Sequence, residues 1–143
     1  LGLIATDHYA EATEAIQSHL AALSIVARPA ADVKNLDVET DFIVANSADI
    51  GCVKADRQFW LRLKKMCLPA PLEKVIMVDD FGSSEQAQSS YADPAGITHR
   101  IDQTRQALDE AFNVEPQIVH YRTGADTSNS ISATIAAVRK ALE

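Results

Sequence analysis

A chain of 143 residues with 47% hydrophobic and 23% charged residues is long enough to fold as one domain around a buried core. Its net charge of −7 excludes a general nucleic-acid binder, and no apolar run approaches the roughly 20 residues of a membrane span. Two cysteines, Cys52 and Cys67, are too few for a disulfide framework and indicate reduced thiols in a cytoplasmic protein.

The first half of the chain predicts strands that alternate with helices. An apolar strand over residues 1–5 comes first, and Thr6 or Asp7 caps a helix from about His8 to Leu23. Asp56 caps a later helix, which Pro69 ends. The apolar face of that helix contains Phe59, Trp60, Leu63 and Met66. Between the two helices, residues 24–28 and 41–46 are predicted as strands, residues 30–40 as a loop or short helix, and residues 47–53 as a loop.

The second half predicts a buried strand over residues 75–78, which leads directly into Asp79 and Asp80. Four apolar residues bounded by turn residues are typical of a central parallel strand. The polar residues 86–94 carry little structural signal. The rest predicts a helix over 98–112, a strand over 117–121 and a last helix from Ser130 with Ile131, Ile135, Val138 and Leu142 on its apolar face.

This alternation predicts an α/β fold of three layers, Rossmann-like, with a mostly parallel sheet and helices on both faces. The sequence shows neither a repeat nor a domain boundary, so we expect one domain over residues 1–143.

The acidic pair after the 75–78 strand is a candidate metal site. Ligands of open α/β sheets bind beyond the carboxyl ends of the strands. Asp79 and Asp80 repel each other there unless a cation lies between them, and a hard ion such as Mg²⁺ suits two carboxylates. The alternative is that Asp79 ends the strand and Asp80 caps the following turn.

Two more strand ends carry groups that suit a phosphate ester. Thr6 follows the first strand and offers a hydroxyl, and Lys54 follows the third and offers a positive charge. With Mg²⁺ on the acidic pair, these groups would bind a phosphoryl group. The alternatives are that Thr6 is a helix cap and that Lys54 is a solvated lysine in a loop. Among the other polar residues, Arg100 is interpreted as a surface residue, and His120 lacks the partner spacing of a metal ligand.

Residues 41–60, followed by the Val-Ile-Met-Val-Asp-Asp run at 75–80, resemble the second half of a haloacid dehalogenase superfamily hydrolase. The continuation from Asp79 to the helix that reaches Phe112 is similar to a cyanobacterial subgroup. The resemblance implies Mg²⁺-dependent hydrolysis of a small phosphorylated molecule through an aspartyl-phosphate. It also implies site residues, namely Thr6 as the phosphoryl hydrogen-bond donor, Lys54 as the charge-neutralising group, and Asp80, Asp79 and Glu85 at the metal.

The chain departs from this family in its first motif. The Asp-x-Asp that supplies the family's nucleophile is absent from the sequence, and Ala55 stands where the family has a proline. We therefore expect the chain to be the C-terminal part of a longer protein, as its start at Leu1 also indicates, and to be inactive when isolated. The competing hypothesis is a non-catalytic binding or assembly module. A receiver-like domain and a sugar-phosphate-isomerase-like domain are weaker alternatives.

The missing motif also has a consequence for assembly. The family places its nucleophile strand between the strand that ends at Thr6 and the strand that ends at Asp79. Without it, the strands over 1–5 and 75–78 each have an unpaired apolar edge, which favours strand exchange. We expect a homo-oligomer, or binding of the missing N-terminal segment.

Overall fold

All strand pairs of the protein are parallel within the described residues, which confirms the predicted α/β class. The structure is a computed structural model, and it describes residues 2–33, 40–67, 71–83, 93–122 and 127–143. The chain divides into two compact units, Leu1–Pro71 and Leu72–Glu143, and each unit has its own small sheet. In these residues no helix has the length and apolar character needed to cross a membrane.

The first unit has a three-stranded sheet of order β1-β3-β2. Its strands are β1 (Gly2–Thr6), β2 (Ala27–Pro29) and β3 (Phe42–Asn46), and its helices are α1 (Glu11–Ala22), α2 (Ser47–Ile50) and α3 (Arg57–Cys67), with a 3₁₀ turn over Ala30–Asp32.

Strand β3 is the centre of this sheet and of the core around it. Ile43, Val44 and Ala45 are at most 1% exposed, as a strand paired on both edges and covered on both faces requires. Gly2 of β1 pairs with Phe42, and a Cβ at Gly2 would lie 2.5 Å from the Phe42 ring. A side chain at this position would therefore require the Phe42 ring to move.

Helix α3 forms where the sequence predicts it. Asp56 accepts a hydrogen bond from the Gln58 backbone N–H (2.8 Å), which is the predicted cap. Phe59 and Leu63 are fully buried, but Met66 is 37% exposed, and the buried face instead ends at Cys67. The thiol donates to the Leu63 carbonyl within the helix (3.4 Å), and burial raises the pKa of Cys67 to about 11.

Two local predictions in this unit need correction. Residues 47–50 form the short helix α2 rather than a loop, because the Asn46 side chain accepts from the Ala48 N–H (3.3 Å) and Gly51 ends the helix at φ +81°. Helix α1 begins at Glu11 with Ala10 at its N-cap and no side-chain cap in the described part of the chain, so neither Thr6 nor Asp7 caps it, and the Asp7 carboxylate accepts from the Lys54 N–H instead.

The second unit has the two-stranded sheet β4-β5. Asp79 at the end of β4 is in register with His120 at the end of β5. The elements are β4 (Ile76–Asp79), α4 (Pro94–Phe112), β5 (Gln117–His120) and α5 (Thr127–Leu142).

Helix α4 begins earlier than predicted, and the apolar residues of α5 are largely exposed. Asp93 accepts from the Gly96 N–H (2.9 Å) and Pro94 occupies the first turn, so α4 starts at Pro94 rather than at Thr98. No residue of α5 is buried, and Ile131 and Ile135 of its predicted apolar face are each 47% exposed.

Candidate functional site

Thr6 and Lys54 belong to the same edge of the first sheet. Thr6 ends β1 in register with Asn46, which ends β3 and leads through α2 into the loop that carries Lys54. Parallel strands bring their carboxyl ends to one edge, so the end of β1 and the segment that leads to Lys54 lie at the same edge of this sheet.

The Lys54 backbone is held from two sides. Its N–H donates to the Asp7 carboxylate (2.9 Å), and its carbonyl accepts from the indole N–H of Trp60 (2.7 Å). Asp7 is the neighbour of Thr6, and Trp60 is buried in α3. These contacts fix the Lys54 backbone beside the end of β1.

Asn46 is the hydrogen-bonding centre of this edge, and the sequence interpretation missed it. Its fully buried amide donates to the Tyr9 carbonyl (2.8 Å) and to the Thr13 hydroxyl (3.2 Å), which in turn donates to Asp49 (2.6 Å). The Asn46 oxygen also accepts from the His8 N–H (3.4 Å). One side chain thus joins the loop after β1, helix α1 and helix α2. A polar residue directly after a run of buried apolar ones was the available signal.

The acidic pair forms an ordered turn at the carboxyl edge of the second sheet. The Phe81 N–H donates to Oδ1 of Asp79 (2.7 Å), and the Gly82 N–H donates to Oδ1 of Asp80 (3.0 Å). The Ser83 N–H closes the turn on the Asp80 carbonyl (2.8 Å). We call residues 79–83 the acidic turn.

The acidic turn contains an unfavourable backbone conformation. Phe81 has φ +49° and Gly82 has φ +82°. Glycine adopts such angles freely, whereas a residue with a Cβ in the left-handed region costs about 1–2 kcal/mol. Phe81 is nevertheless buried, at 3% exposure, so the surrounding contacts must hold it there.

Two side chains that the sequence interpretation set aside contact this turn. The Arg100 guanidinium donates twice to the Phe81 carbonyl, at 3.0 and 2.8 Å, so Arg100 is not a simple surface residue. His120 Nε2 lies 3.2 Å from the Asp80 carbonyl oxygen and 3.3 Å from the Ser83 hydroxyl. Both residues lie far from the turn in sequence, which explains why local patterns did not reveal them.

The two carboxylates of the acidic turn are ligands of a type that Mg²⁺ accepts, but they are too few to complete its coordination shell. No group of three or more His, Cys, Asp or Glu side chains that could hold a metal occurs in the described parts of the chain. Mg²⁺ often uses only one or two carboxylates and completes its shell with water and phosphate oxygens. The predicted ligand Glu85 lies outside the described residues. Thr6 and Lys54 belong to the first unit, whereas Asp79 and Asp80 belong to the second.

Comparisons with known proteins assign neither a family nor a function to the chain. No protein-family model matches the chain, and neither a curated protein nor a solved structure matches it. A function must therefore be argued from the residues and contacts of the chain.

Proposed function

We propose that the chain is part of a Mg²⁺-dependent phosphoester hydrolase of the haloacid dehalogenase type that acts on a small phosphorylated molecule. The observation that carries the proposal is the acidic turn, which presents two adjacent carboxylates in an ordered conformation at the carboxyl edge of a parallel sheet. This is the place where open α/β sheets bind their ligands. The setting proposed is the cytoplasm, where the unpaired thiols of Cys52 and Cys67 remain reduced.

The chain's own residues have distinct roles in this proposal. Asp80 would be the main ligand of the metal and Asp79 the second, and a bound Mg²⁺ would supply charge neutralisation of the phosphate. In the first unit, the resemblance assigns Thr6 the role of hydrogen-bond donor to a phosphoryl oxygen and Lys54 that of the charge-neutralising group, and Asp7 and Trp60 hold the Lys54 backbone. The nucleophile of the family would come from a segment that this sequence does not contain.

Strand order supports the same proposal. β1 is an edge of the first sheet, and β4 pairs only with β5 among the described residues. The family resemblance implies a further strand beside each of them. Within each unit, the described strands leave β1 and β4 at an edge of their sheets, which is where the resemblance implies a further strand.

Magnesium is expected to raise the melting temperature of the wild-type chain. Ligand that binds only the native state at ten times its Kd stabilises by about 1.4 kcal/mol, which corresponds to roughly 3–5 °C for a chain of this size. The double variant Asp79→Asn/Asp80→Asn should lose this rise. Without metal the double variant should be no less stable than wild type, because it removes like-charge repulsion. Melting curves of both proteins in 0 and 10 mM MgCl₂ measure this change. A wild-type melting temperature that Mg²⁺ leaves unchanged would contradict the proposal.

Self-association, or capture of an N-terminal segment, is the second expectation. The Gly2 N–H donates to the Asp41 carbonyl (3.2 Å), so the backbone groups of Gly2, Ile4 and Thr6 face β3. Those of Leu3 and Ala5 face the other edge of β1, where no described strand pairs. An apolar edge of this kind pairs with a further strand unless it is covered.

Size-exclusion chromatography with light scattering at micromolar concentration measures this association. We expect species larger than a monomer. Ala5→Pro should shift them toward the monomer, because it removes an outward-facing N–H and leaves the bonds to β3 intact. A stable wild-type monomer that melts cooperatively would mean that the sheet is complete without a further strand, and it would weaken the family assignment.

A further inference from the structure

The β2 edge of the first sheet is blocked against a further strand. The Phe42 N–H of β3 donates to the Val26 carbonyl, just before β2 (3.1 Å). Because the direction of the backbone groups alternates from one residue to the next, those of Ala27 and Pro29 face outward. The Ala27 carbonyl already accepts from the side-chain amide of Gln17 on α1 (3.1 Å), and Pro29 has no N–H to offer. Gln17 and Pro29 therefore protect this edge.

No described contact protects the outer edge of β1 in this way. Its outward backbone groups belong to Leu3 and Ala5, and the strand from Gly2 to Thr6 contains neither a proline nor a charged residue. All five residues of β1 are only partly buried, whereas four of the five residues of the central strand β3 are buried. Sheets normally protect their edges with proline, charge or a covering side chain, and an edge without them pairs with another strand.

We propose that this edge pairs with β1 of a second copy of the chain, in the antiparallel direction and with the twofold axis at Ile4. Leu3 of each copy then lies opposite Ala5 of the other, and each such pair exchanges two hydrogen bonds. Gly2 lies opposite Thr6, so the whole length of β1 is used. One surface patch serves both copies, as a twofold interface requires. The inference goes beyond the proposed function and involves no metal.

The charges around β1 favour the antiparallel direction. Two copies that each carry a net charge of −7 repel each other, so their nearest carboxylates must stay apart. Asp7 directly follows β1. With the axis at Ile4, the two Asp7 residues lie roughly 20 Å apart along the strands, beyond the Debye length of about 8 Å at physiological salt. Parallel pairing would instead place the two Asp7 carboxylates side by side, which is destabilising.

The blocked β2 edge limits the association to two copies. The dimer has one continuous sheet of order β2-β3-β1-β1-β3-β2, which is an ordinary size for a sheet. Both outer edges of this sheet are β2 strands, where Gln17 and Pro29 prevent further pairing. The twofold contact therefore closes the assembly, and no filament grows from it.

Cysteine cross-linking in the full chain tests the register. Residues of a non-hydrogen-bonded antiparallel pair have Cα atoms about 4.5 Å apart, which a disulfide spans. Ile4→Cys should therefore give a disulfide-linked dimer when it is oxidised with diamide. Leu3→Cys is the matched control, because the two Leu3 residues lie diagonally across the pair, more than about 7 Å apart, and should not cross-link. Wild type, which contains Cys52 and Cys67, gives the background on the same non-reducing denaturing gel.

Sedimentation equilibrium of the wild-type chain tests the closure and needs no variant. We expect twice the mass of one chain throughout the micromolar range. A monomer there overturns the inference, and species that grow with concentration overturn the protection by β2. A dimeric wild type in which Leu3→Cys cross-links as well as Ile4→Cys, or in which neither cross-links, overturns the register. None of these measurements involves Mg²⁺, so the magnesium melting curves test the proposed function separately.

Discussion

The 143-residue chain is expected to hydrolyse p-nitrophenyl phosphate no faster than a buffer control, with or without Mg²⁺. Its sequence contains no Asp-x-Asp, and the family chemistry that it resembles proceeds through a covalent aspartyl-phosphate. Loss of a nucleophile that acts as part of a catalytic unit costs on the order of 10⁶-fold in turnover. The measurement is a steady-state assay at high enzyme concentration in 10 mM MgCl₂.

If the assay detects phosphatase activity, the Lys54→Ala variant shows whether the chain itself is the source. Mg²⁺-dependent turnover that Lys54→Ala abolishes would show that the chain contains a nucleophile that the motif comparison missed. Turnover that Lys54→Ala leaves unchanged would instead indicate a contaminating phosphatase.

Replacement of Asn46 by Leu is expected to destabilise the first unit by about 3 kcal/mol. The change removes the donors to the Tyr9 carbonyl and the Thr13 hydroxyl and the acceptor that caps α2 at Ala48. Buried groups left without a partner cost about 1–3 kcal/mol each, and a lost cap about 1 kcal/mol. Urea denaturation followed by the fluorescence of Trp60, the only tryptophan, reports on this unit.

Two further variants sharpen that prediction. Asn46→Asp keeps the acceptor for the Ala48 N–H but loses both donors and buries a carboxylate beside the Tyr9 carbonyl oxygen, so it should also be less stable than wild type. Gln103→Ala, at an exposed position of α4, should leave unchanged the urea midpoint of the unfolding transition that Trp60 fluorescence reports. Equal midpoints for wild type and Asn46→Leu would mean that the network around Asn46 contributes nothing to the fold.

The elements that the sequence predicted well are those with local causes. Strand β3 has a continuous apolar run, and α3 has a cap at Asp56 and buried residues at helical spacing, so both formed where expected. Helix α2 was missed because it depends on only two local features, the side-chain cap at Asn46 and the positive φ of Gly51 at its other end. The sequence predicted the helical spacing of the apolar residues on α5 but not their exposure, because spacing sets the periodicity of a helix and not what packs against it.

The contacts of the site depend on long-range pairing, which local patterns do not contain. The sequence identified the carboxylates of Asp79 and Asp80 because they directly follow an apolar strand. Arg100 and His120 contact the same turn through the packing of α4 and the parallel register of β5. Placing His120 required its pairing with Asp79, which follows only from the folded sheet.

Calorimetric titration of the wild-type chain and of Asp80→Asn with MgCl₂ tests the central claim most directly. The account predicts one site per chain in wild type, with a Kd in the millimolar range or below, and no measurable binding in Asp80→Asn. Ca²⁺ should bind more weakly, because two carboxylates do not provide the six to eight oxygen ligands that it prefers. Equal heats for wild type and Asp80→Asn would contradict the claim that the acidic turn is a magnesium site.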